Sequence, residues 1–114
     1  MNVSININYG FRQLSIIANN SNNTFTVNEI PINSDIDSFI FKVCDIVLKW
    51  PTLLKSENEK IHDGTEVTIC FENNSCEKKF EFINDLPEDF YKLEILLDEV
   101  EGKCGETLAK NSLI

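Results

Sequence analysis

The sequence predicts an α+β fold in which an antiparallel sheet of about five strands has two helices packed on one face. Several short segments alternate apolar and polar residues with a period of two, which is typical of half-buried strands. Two longer segments repeat apolar residues at helical spacing. Short polar turns separate the strand segments, which favours antiparallel pairing, and the predicted element order is β-β-β-α-β-β-α.

The first three strands are predicted in the N-terminal quarter of the chain. Residues 3–9 alternate, residues 13–18 form a second apolar run, and residues 24–29 alternate again before Pro31 ends the strand. Gly10 is typical of the first turn, and an Asn- and Ser-rich stretch is typical of the second.

A helix is predicted to begin at Ser34, which forms a capping box with Asp37. It should end near Trp50, because Pro51 disfavours helical geometry in the preceding residue. The apolar stripe of this helix comprises Ile36, Phe39, Ile40, Val43, Val47 and Trp50. Further apolar residues off the stripe are Phe41, Ile46 and Leu48. We therefore expect this helix to be well buried or to take part in an interface.

A hairpin is predicted over residues 66–83, where alternating segments flank an Asn- and Ser-rich turn. A two-residue loop at 73–74 or at 74–75 keeps Ile69 and Phe80 on the same face of the sheet.

The second helix is predicted to begin at Asp85, with Glu88 as its capping-box partner and Pro87 in the first turn. It should end at Gly102. The inward apolar residues are Phe90, Leu93, Leu97 and Val100, and the outward acidic stripe is Glu94, Asp98 and Glu101.

The net charge of −9 is unevenly distributed along the chain. Residues 1–56 hold equal numbers of acids and bases, whereas residues 57–106 hold fifteen acids and five bases. This balance disfavours nucleic acid and anionic membranes as ligands, because both require clustered cations. The acidic charge favours a basic protein partner, because an acidic surface attracts such a partner and speeds its association. Such acidity is equally typical of proteins that are acidic only for solubility.

We expect the chain to form one domain, residues 1–114, in the cytoplasm. Its length is typical of a single domain, no signal peptide is visible, and no stretch is apolar enough to span a membrane. The four cysteines should therefore be reduced. The hairpin register also places Cys70 and Cys76 on opposite faces, which disfavours a disulfide between them.

Catalytic signals are weak, and we expect a protein that is not an enzyme. The single histidine, His62, lies in a polar segment. Cys44 lies in an apolar helix, where a cysteine is more often a small hydrophobic residue than a nucleophile. No zinc, calcium or phosphate-loop spacing occurs, so no metal and no cofactor are expected. A small enzyme that uses Cys44 or His62 nevertheless stays open as a hypothesis, beside the binding functions described below.

The predicted docking surface is the acidic part of the chain, roughly residues 66–101. Carboxylates form bidentate pairs with arginine, and together with an aromatic side chain they can mimic a nucleic-acid backbone or fill a basic cleft. The candidate partner-binding residues are Glu66, Glu72, Glu77, Glu81, Glu88, Tyr91, Glu94, Asp98 and Glu101.

The outline resembles the bacterial immunity proteins of contact-dependent growth inhibition and related polymorphic toxin systems. The resemblance rests on the small acidic chain, on the capped helix SDIDSFIFKVCDIVLKW, and on the hairpin and helix TEVTICFENNSCEKKFEFINDLPEDFYKLEILLDEV. It is a likeness of architecture and composition, so no functional residue is carried over. It implies a cytoplasmic protein that binds a toxin nuclease domain and blocks its active site. The alternative is a phage-encoded or regulatory adaptor that dimerises through the Phe41, Ile46 and Leu48 side of the first helix.

Overall fold

The computed structural model describes residues 1–57, 64–74 and 76–112, with side-chain surroundings up to residue 104. These residues form an α+β fold with a seven-stranded mixed sheet and two helices. The strands are β1 (Asn2–Asn8), β2 (Gln13–Asn19), β3 (Thr24–Val27), β4 (Ile30–Pro31), β5 (Leu53–Lys55), β6 (Glu66–Asn73) and β7 (Cys76–Ile83). The helices are α1 (Ile36–Val47) and α2 (Phe90–Ser112). The strand order is β4-β3-β2-β1-β6-β7-β5, and among these strands only β5 and β7 pair in parallel.

The predicted fold class is confirmed, but five antiparallel strands understate the sheet. The two missed strands, β4 and β5, are two and three residues long and are too short to show a period. The third strand stops before Pro31 as predicted, at Val27, but Pro31 itself belongs to a further strand. It lies in the edge strand β4, where a residue without an N–H group is tolerated. Asn28 and Glu29, both with positive φ, form the turn from β3 into β4.

Burial in the described strands is confined to one face of the sheet. In β1, the buried residues Val3, Ile5 and Ile7 alternate with more exposed polar residues. The same alternation occurs in β2, β3, β6 and the second half of β7. The helices cover this apolar face. In α1, for example, the ring of Phe39 packs 4.8 Å from the ring of Phe25 in β3.

Trp50, directly after α1, joins both helices to the sheet. Its ring lies 5.8 Å from that of Phe82 in β7 and 5.9 Å from that of Phe90 at the start of α2. Its Nε1 donates a hydrogen bond to Asp89 Oδ1 at 2.6 Å. This bond lowers the pKa of the Asp89 carboxyl, and the ammonium group of Lys49, 3.7 Å away, acts in the same direction. Trp50 is thus buried with its one polar group satisfied.

The hairpin prediction is confirmed, and the strand pairing agrees with the later of the two predicted loop positions. Asn73 pairs with Cys76, and Ile69 lies directly opposite Phe80. Cys70 alternates with the buried residues of β6, so it points to the outward face, whereas Cys76 belongs to the side of β7 that faces the helices.

Both helix starts and one helix end differ from the predictions. The N-cap of α1 is Asp35 rather than Ser34, and its side chain accepts a hydrogen bond from the Ser38 backbone N–H at 3.0 Å. α2 begins at Phe90 rather than at Asp85, after a turn in which the Phe90 N–H bonds to the Pro87 carbonyl. Helical backbone also continues through Gly102 to Ser112, because a glycine weakens a helix but ends it only in a left-handed conformation.

Asparagine side chains build several of the turns. The Oδ1 atoms of Asn8, Asn19 and Asn22 each accept a hydrogen bond from the backbone N–H two residues later. Asn23 and Asn74 adopt positive φ, which asparagine tolerates better than most residues. The many asparagines of the chain therefore have a structural role at these turns.

Replacement of Asp35 by Ala should lower the free energy of unfolding by about 1 kcal/mol, because the Ser38 N–H loses its acceptor. Ser34→Ala is the matched control and should leave stability within about 0.5 kcal/mol of the parent. Chemical denaturation of the three proteins measures both values. A larger loss for Ser34→Ala than for Asp35→Ala would contradict the observed cap.

Candidate functional site

The nine predicted partner-binding residues lie on two sides of the sheet. Those of β6 and β7 point away from the helices. Glu66, Glu72 and Glu81 adjoin buried residues of their strands, and Glu77 lies directly opposite Glu72 in the ladder. The remaining five lie in α2 or the turn before it, in the helix layer; they are Glu88, Tyr91, Glu94, Asp98 and Glu101. Residues 66–101 therefore do not form one docking surface as predicted, because the sheet lies between the two groups.

The outward side chains of β6 and β7 form a surface that we call the hairpin face. It consists of Glu66, Thr68, Cys70, Glu72, Glu77, Lys79, Glu81 and Ile83. Glu66 and Glu72 lie at opposite ends of this face, about 20 Å apart at the usual rise of a strand. The face is therefore large enough, and acidic enough, to contact a separate protein.

Two carboxylates of the hairpin face lie directly opposite each other. Glu72 and Glu77 are paired in the β6–β7 ladder, and both are exposed. Within the described part of the chain neither takes part in a salt bridge. Like charges in this arrangement destabilise a hairpin. Glu81, by contrast, forms an ion pair with Lys79 at 3.0 Å, so the negative charge is concentrated toward the turn and near Glu66.

The outward side of β1 is polar and uncharged, and that of β2 is polar except for the exposed Ile17. A shallow cleft of about 240 Å³ runs beside the hairpin face and exposes amide and hydroxyl groups. It is lined by Asn6, Ile7, Asn8, Gln13, Leu14, Ser15, Glu66 and Thr68. These groups can donate and accept hydrogen bonds without adding charge.

The acidic stripe of α2 is largely engaged within the molecule. Tyr9 Oη donates a hydrogen bond to Glu94 Oε2 at 3.2 Å, and Arg12 Nη1 lies 2.9 Å from Glu101 Oε2. Both partners belong to the connection between β1 and β2. The prediction of an outward stripe is therefore wrong for Glu94 and Glu101, whereas Asp98 is exposed.

A second candidate surface, which the sequence did not indicate as a unit, lies between the helices. We call it the helix groove; its volume is about 220 Å³, and it is lined by Phe41, Lys42, Asp45, Ile46, Lys92, Ile95, Leu96 and Glu99. Leu48 instead lines a separate cavity of about 270 Å³ that also contains Met1, Cys44 and Phe71. The three residues predicted to form one side of α1 therefore line two different depressions: Phe41 and Ile46 line the helix groove, and Leu48 lines the other cavity.

The candidate catalytic residues do not come together in the described structure. Cys44 is half-buried, and burial raises the pKa of its thiol, which lowers the thiolate fraction at neutral pH. His62 lies outside the described residues. Among the described side chains, no three histidines, cysteines or carboxylates lie close enough to hold a metal ion. No described helix is long and apolar enough to cross a membrane.

Comparison with protein-family models, curated proteins and solved structures found no match to the chain.

The contact between Tyr9 and Glu94 predicts a measurable titration. Burial of Tyr9, together with the neighbouring Glu94 carboxylate and its hydrogen bond, raises the pKa of the Tyr9 phenol from 10.0 to about 12. Because the folded pKa is raised, the stabilising contribution is fully present below pH 10 and is lost as the pH rises through about 12. Ultraviolet difference absorbance should therefore show a tyrosinate step near pH 12 while circular dichroism reports a folded chain.

Two variants test the assignment of this step. Tyr9→Phe should remove it, whereas Tyr91→Phe should retain it. Glu94→Gln should lower the pKa of Tyr9 but leave it above 10, since burial is the largest cause of the shift. An unchanged step in Tyr9→Phe would show that the assignment is wrong.

Proposed function

We propose that this chain is a non-catalytic inhibitor of a basic protein, and specifically a cytoplasmic immunity protein that covers the active site of a toxin nuclease domain. The proposal places the docking surface on the hairpin face. Basic nuclease clefts bind the regularly spaced phosphates of nucleic acid, and a row of carboxylates on a rigid strand pair can occupy the same cations.

The paired carboxylates of Glu72 and Glu77 carry the proposal. Their placement is unfavourable for the isolated hairpin, since like charges directly across a ladder repel. A cationic partner would convert this repulsion into attraction, because an arginine or lysine could contact both carboxylates at once. An acidic surface that existed for solubility alone would not require the two charges to be adjacent.

The surrounding geometry also favours a protein partner at this position. The hairpin face lies on two interior strands of the sheet: β6 is held by ladders with β1 and β7, and the second half of β7 also pairs with β5. A backbone held in this way needs little further ordering on binding, which lowers the entropic cost. The uncharged cleft beside Glu66 adds hydrogen-bonding groups at the border of the acidic surface.

The first experiment identifies the partner. If a neighbouring gene encodes a basic toxin domain, that domain should copurify with the chain at moderate salt, and the chain should block its nuclease activity. Failure of a purified, active toxin domain of this kind to bind would remove the support for an immunity function.

Charge reversal on the two sides of the sheet tests the docking surface. Glu72→Lys/Glu77→Lys should lower the association rate constant with that toxin domain by about tenfold or more, because electrostatic steering is lost and the contact becomes repulsive. Glu88→Lys/Asp98→Lys changes the net charge equally, but on exposed residues of the helix layer, and should have a much smaller effect.

This pair of variants separates a local contact from a general charge effect. Equal slowing by both would show that only net charge matters and that the hairpin face is not the docking surface. Glu94 and Glu101 are unsuitable for such reversal, because their replacement would also break the contacts with Tyr9 and Arg12.

A further inference from the structure

The helix groove exposes large apolar side chains on the side of the molecule opposite the hairpin face. Phe41 in α1 is 73% exposed and Ile95 in α2 is 56% exposed, and both line the groove. The buried Leu96 and the half-buried Ile46 lie deeper in it. Aromatic and aliphatic side chains that surround a shallow depression are typical of the centre of a protein–protein interface.

The charges of the groove differ from those of the whole chain. The protein carries 19 acids and 10 bases. The groove instead combines two ammonium groups, Lys42 and Lys92, with two carboxylates, Asp45 and Glu99. It is therefore a locally neutral surface on a strongly acidic protein.

This balance points to one kind of occupant. A strongly basic partner gains nothing from a neutral groove and would be steered to the acidic surfaces instead. Two copies of a chain with net charge −9 repel each other, so their close association is favoured at a face on which opposite charges are balanced. In an isologous contact, each residue of such a face meets the same face on the other copy, so lysines can be placed opposite carboxylates.

We propose that the helix groove is a homodimer interface in which Phe41 and Ile95 of one copy pack against the groove of a second copy. Lys42 and Lys92 of each copy then face Asp45 and Glu99 of the other, and Lys92 also lies 3.8 Å from Asp89 of its own chain. The hairpin faces lie on the outside of this dimer, because they point away from the helix layer. Self-association thus goes beyond the proposed inhibitory function and does not depend on it.

Sedimentation equilibrium of the full chain over increasing concentration tests the interface. The average mass should rise from the 13.1 kDa monomer toward twice that value. Phe41→Ser should raise the dimer dissociation constant by about tenfold or more, because it removes a central apolar contact. Phe11→Ser is the matched control: Phe11 is 84% exposed in the β1–β2 connection, so its loss should leave dimerisation unchanged.

Two charge variants test the predicted pairing independently of the apolar contact. Lys42→Glu/Lys92→Gln leaves the groove with carboxylates only, and Asp45→Lys/Glu99→Gln leaves it with ammonium groups only. Each variant alone should be monomeric, since its groove repels a second copy. An equimolar mixture should recover a heterodimer, which confirms that opposite charges meet across the interface.

Three outcomes would overturn the proposal. A parent protein that stays monomeric at the highest concentration reached has no such interface. Equal weakening by Phe41→Ser and Phe11→Ser would indicate nonspecific apolar association. A mixture of the two charge variants that remains monomeric, while the parent dimerises, would place the interface elsewhere. None of these results bears on toxin binding, which the hairpin-face variants test separately.

Discussion

The confinement of apolar residues to one face of the sheet is the constraint on which the rest of the structure depends. Successive side chains of a strand point to opposite faces, so Val3, Ile5 and Ile7 can all be buried only if something covers their side. Burial of such a side chain contributes about 1.5–3 kcal/mol. Both helices therefore pack on this face, and Trp50 holds the end of α1 against β7 and the start of α2.

The two candidate interaction surfaces follow from this one-sided packing. The outward face of the sheet needs no apolar residues and can carry the carboxylates of the hairpin face at little cost to the core. The helices are covered on one side only, so the opposite sides of α1 and α2 meet solvent and expose Phe41 and Ile95. An acidic surface and a neutral, apolar surface are thereby kept on opposite sides of the same small fold.

Sequence patterns predicted the long elements well and their ends poorly. Alternation in β6 and β7 was long enough to place Ile69 and Phe80 on the same face, but it left two loop positions open, and the structure decided that these residues pair directly. The start of α2 was misplaced because Asp85 is a favoured N-cap residue, whereas the chain forms a turn from Pro87 to Phe90 before the helix begins. Strands as short as β4 and β5 carry no periodic signal and form because a neighbouring strand offers free backbone groups.

By itself, the sequence determined the α+β class, the half-buried strands, the two amphipathic helices and the acidic second half of the chain, because each depends on local spacing or composition. The tertiary structure decided which of those acids are available. It paired Glu94 and Glu101 with Tyr9 and Arg12, left Glu72 opposite Glu77, and brought Phe41 beside Ile95. Such contacts depend on where separate elements pack, and a local pattern carries no information about that.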